Sequence, residues 1–406
     1  MHVVVVNDTG YVNGGAARVA LETARLLSDR GHDVVLFVGA GPVDRGLLGD
    51  RVQVVCLGQK ELLAERAWVS AIRGMWNWRA ETALERLLRR TGGGLGVVHV
   101  HSWTKVLSSS IFRAAARVGW PVVVTAHDYF LKCPNGGFFV YPRAEVCLRA
   151  PLSWECILTH CDSRSRVHKL WRIARQICLE YVLRKGWVQG VIFPSARAAE
   201  VMSGYLKEVK KEWVLENPIA PPRKRARVKA EANELLIGVG RVAPEKGWDL
   251  LGRAAEKVGA QVAVIGDGPW RATLAKRFPL LEFVGWLGEE ELEKWWSRAR
   301  ALVCTSLSWE TYGLVVREAQ QRGVPAIVPK GTALAELVED GVTGLAFERG
   351  NTEALAECLT RVLQDERLVA DMSRAAYERS EKQTVAVYVE RLEEVYRDLL
   401  EGCAGG

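Results

Sequence analysis

Two glutamates, Glu310 and Glu318, stand eight positions apart in "SLSWETYGLVVREAQQRGVPAIV", with Gly313 between them and an apolar strand after them. The local pattern is a strand "ALVCTS", a loop "LSWETYG" and a helix "LVVREAQQRG" stopped by Gly323. In that arrangement the amides of Gly313, Leu314 and Val315 form the open N-terminus of the helix, where negative charge is favoured. A carboxylate accepts hydrogen bonds from hydroxyls, often two at once. Glu310 before the helix and Glu318 about one turn into it therefore flank anion-binding amides with hydroxyl-binding groups. A ribose, a diphosphate and a hexose match that layout. The plainer alternative is that both glutamates only complement the helix dipole.

Other strand ends carry residues of the same kind. "LLIGVGRVAPEKGWDLL" places Arg241 and Lys246 in a loop flanked by Gly240 and Gly247, and two cations five positions apart suit a diphosphate. "VAVIGDGP" closes a strand with a tight turn at Gly266, which is a ligand-approach point second. Gly14 and Gly15 precede a helix beginning near Ala16, so backbone amides there could approach an anion, although an ordinary turn needs the same residues. No G-x-G-x-x-G follows that strand, which argues against a nicotinamide-binding domain. His127 and Asp128 end the strand "VVVTAHD", where a histidine is either a satisfied core residue or a donor facing a ligand. His99 and His101 alternate on "VVHVHSW" and share one face; lacking a third metal ligand, they read as supporting or structural residues.

These residues need two α/β layers to position them. "HVVVV", "HDVVLFV", "VQVVCLG", "GVVHVHS", "VVVTAHD" and "GVIFPS" are short β-branched runs separated by helical segments, the pattern of parallel strands buried on both faces. The pattern restarts after residue 217 with "ELLIGVG", "AQVAVIGDG", "LEFVGW", "ALVCTS", "PAIVP" and "GLAF". Between the halves, "NPIAPPRKRARVKAEANE" is rich in proline and basic residues without periodicity and reads as a solvated linker. A final amphipathic helix, "AVYVERLEEVYRDLLEG", follows the second set of strands. Two doubly wound halves facing a central cleft would bind ligands beyond the carboxyl ends of their strands. The 406 residues, 49% apolar and 25% charged, suit two globular domains. A net charge of +7 and a pI near 8.9 fit an acidic partner without choosing one. "MHVVVVNDTG" has neither a basic n-region nor a small-residue cleavage site and reads as the first strand of a cytoplasmic protein.

Taken together, "NGGAARVALETARLL", "TAHDYFLKCPNG", "GRVAPEKG", "VIGDGP", the E-x7-E pair of Glu310 and Glu318, and "GVPAIV…ELVEDGVTGLAF" resemble the retaining glycosyltransferases of family 4, along essentially the whole chain. The resemblance implies the GT-B fold, with an acceptor-side domain of residues 1–217 plus 385–406 and a nucleotide-sugar domain of residues 218–384. The last helix would cross back to the first domain. It implies that Glu318 holds the nucleotide ribose and that Glu310 contacts the transferred sugar. Arg241 and Lys246 would bind the diphosphate with Gly313, Leu314, Val315 and the Gly14–Gly15 loop, near Gly240 and Gly266. His127 would contact the donor sugar and the acceptor. The implied donor is a UDP- or GDP-linked sugar, read around Val284 to Trp286, and no metal cofactor is required. The acceptor would be a hydroxyl of a sugar, glycolipid or polyprenyl-linked glycan, with no nucleic-acid partner.

Two segments keep alternatives open. Cys133, Cys147, Cys156 and Cys161 are spaced 14, 9 and 5 apart, unlike zinc-ribbon pairs, and a subset of the family carries a similar cysteine-containing segment after its HDY motif. A structural metal, a redox-sensitive or buried thiol cluster, and disulfides are the three readings. The stretch "ELLAERAWVSAIRGMWNWRAETALERLLRR" mixes Trp68, Trp76 and Trp78 with six arginines. It is either a basic amphipathic helix lying on an anionic membrane at the cytoplasmic face or a domain-facing helix with solvated arginines. Competing with a transferase are a nucleotide-sugar epimerase of the same architecture and a catalytically silent sugar-nucleotide-binding protein.

Overall fold

The computed structural model describes residues 1–91, 96–222, 226–381 and 384–404. Arg223, Lys224 and Arg225, the centre of the basic linker, lie outside the described residues. The chain forms two compact units: Met1–Gly137 with Leu148–Pro218 and Val385–Gly406, and Phe138–Cys147 with Ile219–Thr384.

In the first unit seven strands pair in parallel. They are β1 (His2–Thr9), β2 (Asp33–Ala40), β3 (Gln53–Cys56), β4 (Gly96–Val100), β5 (Val122–Thr125), β8 (Gly190–Phe193) and β9 (Lys211–Val214), in the order β3-β2-β1-β4-β5-β8-β9. A two-residue hairpin, β6 (Phe139–Val140) with β7 (Glu145–Val146), is assigned to the second unit. Valines 3 to 6 of β1 are all buried, because helices cover both faces of the sheet. Val3, Val5, Leu36 and Val38 pack with Leu21 and Leu27 of the Gly15–Asp29 helix and with Leu392, Tyr396 and Leu399 of the Val385–Ala404 helix. The last helix thus completes the core of the unit in which the chain begins.

The second unit repeats the plan. Strands β10 (Leu235–Val239), β11 (Val262–Ile265), β12 (Leu281–Gly285), β13 (Ala299–Val303), β14 (Ala326–Pro329) and β15 (Gly344–Phe347) run in the order β12-β11-β10-β13-β14-β15. Neighbouring residues of one strand serve different faces. Leu236 packs with Trp248, Leu251 and Phe347, whereas Ile237 packs with Trp296, Val316 and Ala319.

Each sheet reverses its winding direction once, between β1 and β4 in the first unit and between β10 and β13 in the second. In open α/β sheets such a point leaves a crevice beyond the carboxyl ends of the strands, where ligands bind. The chemistry is therefore sought after β1, β4, β10 and β13.

Candidate active site

In the second unit the loops after β10 and β13 are stitched together. Leu307 N–H and Ser308 N–H both donate to the Glu245 carbonyl, at 2.9 and 3.3 Å, and Thr305 Oγ1 donates to the Lys246 carbonyl at 2.8 Å. Gly247 makes the approach feasible, since with φ at +67° a Cβ there would stand 2.2 Å from the Thr305 carbonyl oxygen. This stitching sets Lys246 against Glu310. Lys246 Nζ and Ser306 Oγ each donate to Glu310 Oε1 at 2.6 Å, with the lysine and glutamate side chains 29% and 21% exposed.

Burial pushes the Glu310 carboxyl up, but the charge and hydrogen bond of Lys246 and the Ser306 hydroxyl outweigh it and hold Glu310 below its ordinary value. Burial acts against the Lys246 ammonium in the same way, and Glu310 more than compensates, leaving its pKa raised. The pair is ionised at neutral pH. Cys304 beside it is pushed by burial to about 12 and stays a neutral thiol.

Glu310 leads into the Leu314–Gln320 helix, with Gly313 at its N-cap. The amides of Leu314 and Val315 belong to the first turn, which has no preceding helical carbonyl to bond. Glu318 lies in the same helix and is half-buried. Gly240 directly follows β10, and the Arg241 side chain is exposed. Gly266 follows β11, where a Cβ would come within 2.0 Å of the Gly240 carbonyl oxygen. Close packing of two strand ends, with φ at +140°, requires that glycine.

In the first unit Gly14 caps the helix that Gly15 opens, directly after β1. Beyond β4 and β5 the histidines converge. His99 is fully buried between the Tyr396 hydroxyl at its Nδ1 and Thr125 Oγ1 at its Nε2, both at 2.7 Å. His101 Nδ1 lies 2.9 Å from His127 Nε2, and the two rings stack with centroids 5.1 Å apart. His101 Nε2 is buried without a hydrogen-bond partner among the described residues. The tautomer that strands only a lone pair, not an N–H, has His101 donating from Nδ1 to His127 Nε2. The proton of His127 then sits on Nδ1. Burial holds both His99 and His127 down at about 3 and His101 well below its ordinary value, so all three are neutral. Asp128, which accepts from Phe130 N–H at 2.9 Å, is raised by burial to about 6.

Two features of the first unit carry no sequence signal: the His101–His127 contact and a surface cavity of about 590 Å³ beyond β1, β2 and β3. Tyr11, Gly58, Gln59, Lys60 and Glu61 are among its lining residues, and Tyr11 donates to Glu61 Oε1 at 2.7 Å. No local motif marks these positions; only the closing of the strand ends collects them.

Among the described residues no group of three or more His, Cys, Asp or Glu side chains is placed to hold an ion. Cys133, Cys156 and Cys161 are buried free thiols of the first unit, while Cys147 belongs to the second. Lys169 Nζ reaches Cys161 Sγ at 3.1 Å and Cys156 Sγ at 3.7 Å, so an ammonium already occupies the place beside these sulfurs. A second cation there would be repelled.

Comparison with known proteins bears on both units. Residues 14–202 match the family described as "Glycosyl transferase 4-like domain", and residues 221–379 match "Glycosyl transferases group 1". The sulfoquinovosyl transferase SQD2 of Arabidopsis thaliana is 34% identical over 154 residues, which cover 36% of this chain and 30% of that protein. A GDP-mannose-dependent alpha-mannosyltransferase of Corynebacterium glutamicum is 28% identical over 169 residues, 42% of this chain and 41% of that protein. The chain thus spans well under half the length of these curated relatives. Among solved structures, sucrose-phosphate synthase from Thermosynechococcus elongatus superposes with a TM-score of 0.71 at 16% identity, covering 99% of each chain. Anabaena Alr3699/HepE, in complex with UDP and glucose, gives 0.67 at 16% identity over 98% of this chain and 100% of that one. The two family matches take in most of the sequence, and with the shared architecture they place the chain among the family 4-like glycosyltransferases of GT-B fold.

Proposed function

We propose that the protein is a retaining glycosyltransferase that moves a hexosyl unit from a UDP- or GDP-linked sugar to a hydroxyl acceptor, in polysaccharide or glycolipid synthesis at the cytoplasmic face of a membrane. The observation that carries this reading is the Lys246–Glu310 pair, held at the winding reversal of the second sheet one loop away from the open N-terminus of the Glu318 helix. Residues 218–384 are the donor side, and residues 1–217 with 385–406 the acceptor side. HepE was solved with UDP and glucose, and the corynebacterial relative is named for GDP-mannose, so both nucleotides stay in view.

In this reading Glu318 accepts hydrogen bonds from the ribose hydroxyls. The amides of Leu314 and Val315 and the cations Arg241 and Lys246 meet the diphosphate, with the Gly14–Gly15 loop and the backbone at Gly240, Gly266 and Gly313 around it. Glu310, kept ionised by Lys246 and Ser306, faces the hexose near its reacting carbon. His127, set beside His101 at the end of β5, contacts the donor sugar and the acceptor. The acceptor hydroxyl attacks the anomeric carbon on the face from which the nucleotide departs. The bond to the leaving phosphate oxygen breaks as that oxygen takes the acceptor proton. The protein positions the partners and stabilises the departing negative charge.

Incubation with a panel of nucleotide sugars and hydroxyl acceptors, read as nucleoside diphosphate released and glycoside formed, tests this. Release that is abolished by Glu310→Ala, with an α-linked product from an α-linked donor, is the expected result. Interconversion of two nucleotide sugars without release would favour an epimerase, and nucleotide binding with no turnover would favour a silent binder.

A further inference from the structure

The Arg166–Arg184 helix of the first unit has an outer face that the fold leaves uncovered. Its inner face is accounted for: Lys169, Ile173, Gln176, Leu179, Val182 and Leu183 are buried. Val167, Leu170, Ile177 and Tyr181 recur at offsets of 0, 3, 10 and 14, which places them in one stripe, and they are 77%, 59%, 58% and 51% exposed. An apolar stripe of that length is not the scatter of single hydrophobic residues found on ordinary surfaces.

A second helix widens the platform. Trp171 packs its ring against Gly74 and donates from Nε1 to the Ala71 carbonyl at 3.1 Å, clamping the Ala67–Met75 helix alongside. That helix exposes Trp68 and Ile72, one turn apart. Of the sixteen large apolar side chains exposed among the described residues, eleven fall between residues 63 and 181, all in this unit.

Charge identifies the occupant. Arg164 and Arg166 at one end of the stripe, and Arg184 and Lys185 at the other, are exposed, as are Arg66 and Arg79 beside the neighbouring tryptophans. The only acid within the Arg166–Arg184 helix, Glu180, is taken by Lys132 at 2.9 Å, and Asp162 just before it is buried against Arg172 and His168. An apolar strip bordered by cations and lacking free acids complements a surface with anionic headgroups over an apolar interior. No helix among the described residues is long and apolar enough to cross a membrane, so this one would lie in the interface plane.

We infer that the first unit docks on an anionic lipid bilayer through the Val167–Leu170–Ile177–Tyr181 stripe and the adjoining Trp68–Ile72 edge. The inference rests on this surface and not on the transfer reaction; a failed turnover assay would leave it standing.

The test is co-sedimentation of the full chain with vesicles of phosphatidylcholine containing phosphatidylglycerol, against vesicles of phosphatidylcholine alone. Binding should favour the anionic vesicles, weaken as salt rises from about 50 to about 500 mM, and fall about tenfold or more in L170N/I177N. Those side chains are solvent-exposed, so thermal unfolding of the variant should match the wild type, and R164E/R166E supplies an independent loss through charge. Three results would overturn the inference: no vesicle binding, equal binding to both compositions, or a dimer in sedimentation velocity that L170N/I177N dissolves while vesicle binding is unchanged.

Discussion

Replacing Lys246 with methionine keeps most of the side-chain volume and removes the ammonium that donates to Glu310 Oε1. Breaking a fully buried ion pair from one side costs about 3–5 kcal/mol, whereas a solvent-exposed pair is worth about 0–1 kcal/mol. With side chains 29% and 21% exposed the pair lies between these limits, so about 2 kcal/mol is expected for Lys246→Met, because Glu310 loses its charged donor. Glu310→Gln should cost less, about 1 kcal/mol, since Lys246 is the more exposed partner and its freed ammonium can turn toward water. If each single change hurts mainly by stranding its partner, the double variant should lose about 1.5 kcal/mol, not the sum of about 3. Thermal unfolding of the four proteins reads this as a drop of about 4–8 °C for Lys246→Met that is partly restored by adding Glu310→Gln. Calorimetric titration with UDP and GDP on the same set reports whether the lysine also meets the diphosphate. Additivity of the two single variants within about 0.5 kcal/mol would show that the contact is not energetically coupled and would refute the account of the loop pair.

Acid should loosen the first unit. His99, His101 and His127 are neutral when folded, but each gains a proton when unfolded below about pH 6.5, so stability falls as pH drops from there toward 3. Asp128 and Asp8, both raised by burial, act in the opposite sense. The net uptake of about one to two protons gives a slope of about 1.4–2.7 kcal/mol per pH unit between about pH 6 and 4.5, and a flat thermal-stability profile there would contradict it. Gly266→Ala should destabilise the second unit by about 2–4 kcal/mol, because its new methyl meets the Gly240 carbonyl oxygen at 2.0 Å; unchanged urea unfolding would show that the strand ends can separate freely. Glu318→Ala should weaken nucleoside diphosphate affinity about 10- to 100-fold while leaving the melting temperature within about 2 °C, and an unaltered titration curve would remove Glu318 from the ribose site.

The strands were legible because a parallel sheet covered on both faces demands uninterrupted runs such as Val3 to Val6. The edge strand Lys211–Val214 was not, since "KEWV" alternates exposed and half-buried residues and pairs on one side only. The tryptophan-rich stretch reads locally as one basic helix. It is two, Ala67–Met75 and Trp78–Arg90, because the Asn77 side chain accepts from Ala80 N–H and caps a fresh start. Trp68 and Trp78 are exposed, while Trp76 turns in and donates to Glu81. Of the candidate site, the residue types were readable at the strand ends, but their pairing was not. Lys246 meets Glu310 across 64 positions, and His101 meets His127 because β4 and β5 lie side by side, which no periodicity specifies. The cysteine spacing left a metal open, and only the fold shows Lys169, eight positions after Cys161, reaching its sulfur.

The central claim is that the Lys246–Glu310–Glu318 constellation serves a nucleotide sugar. The most direct measurement is nucleoside diphosphate release from UDP- and GDP-hexoses by the wild-type chain and by Glu310→Gln, each with a titration of the free nucleoside diphosphate. The account predicts release from at least one donor by the wild type. In Glu310→Gln release should fall by about two orders of magnitude or more while nucleotide affinity changes by less than about tenfold, as expected if Glu310 faces the sugar and Glu318 the ribose. Full turnover by Glu310→Gln, or a wild-type chain that binds neither nucleotide, would contradict it.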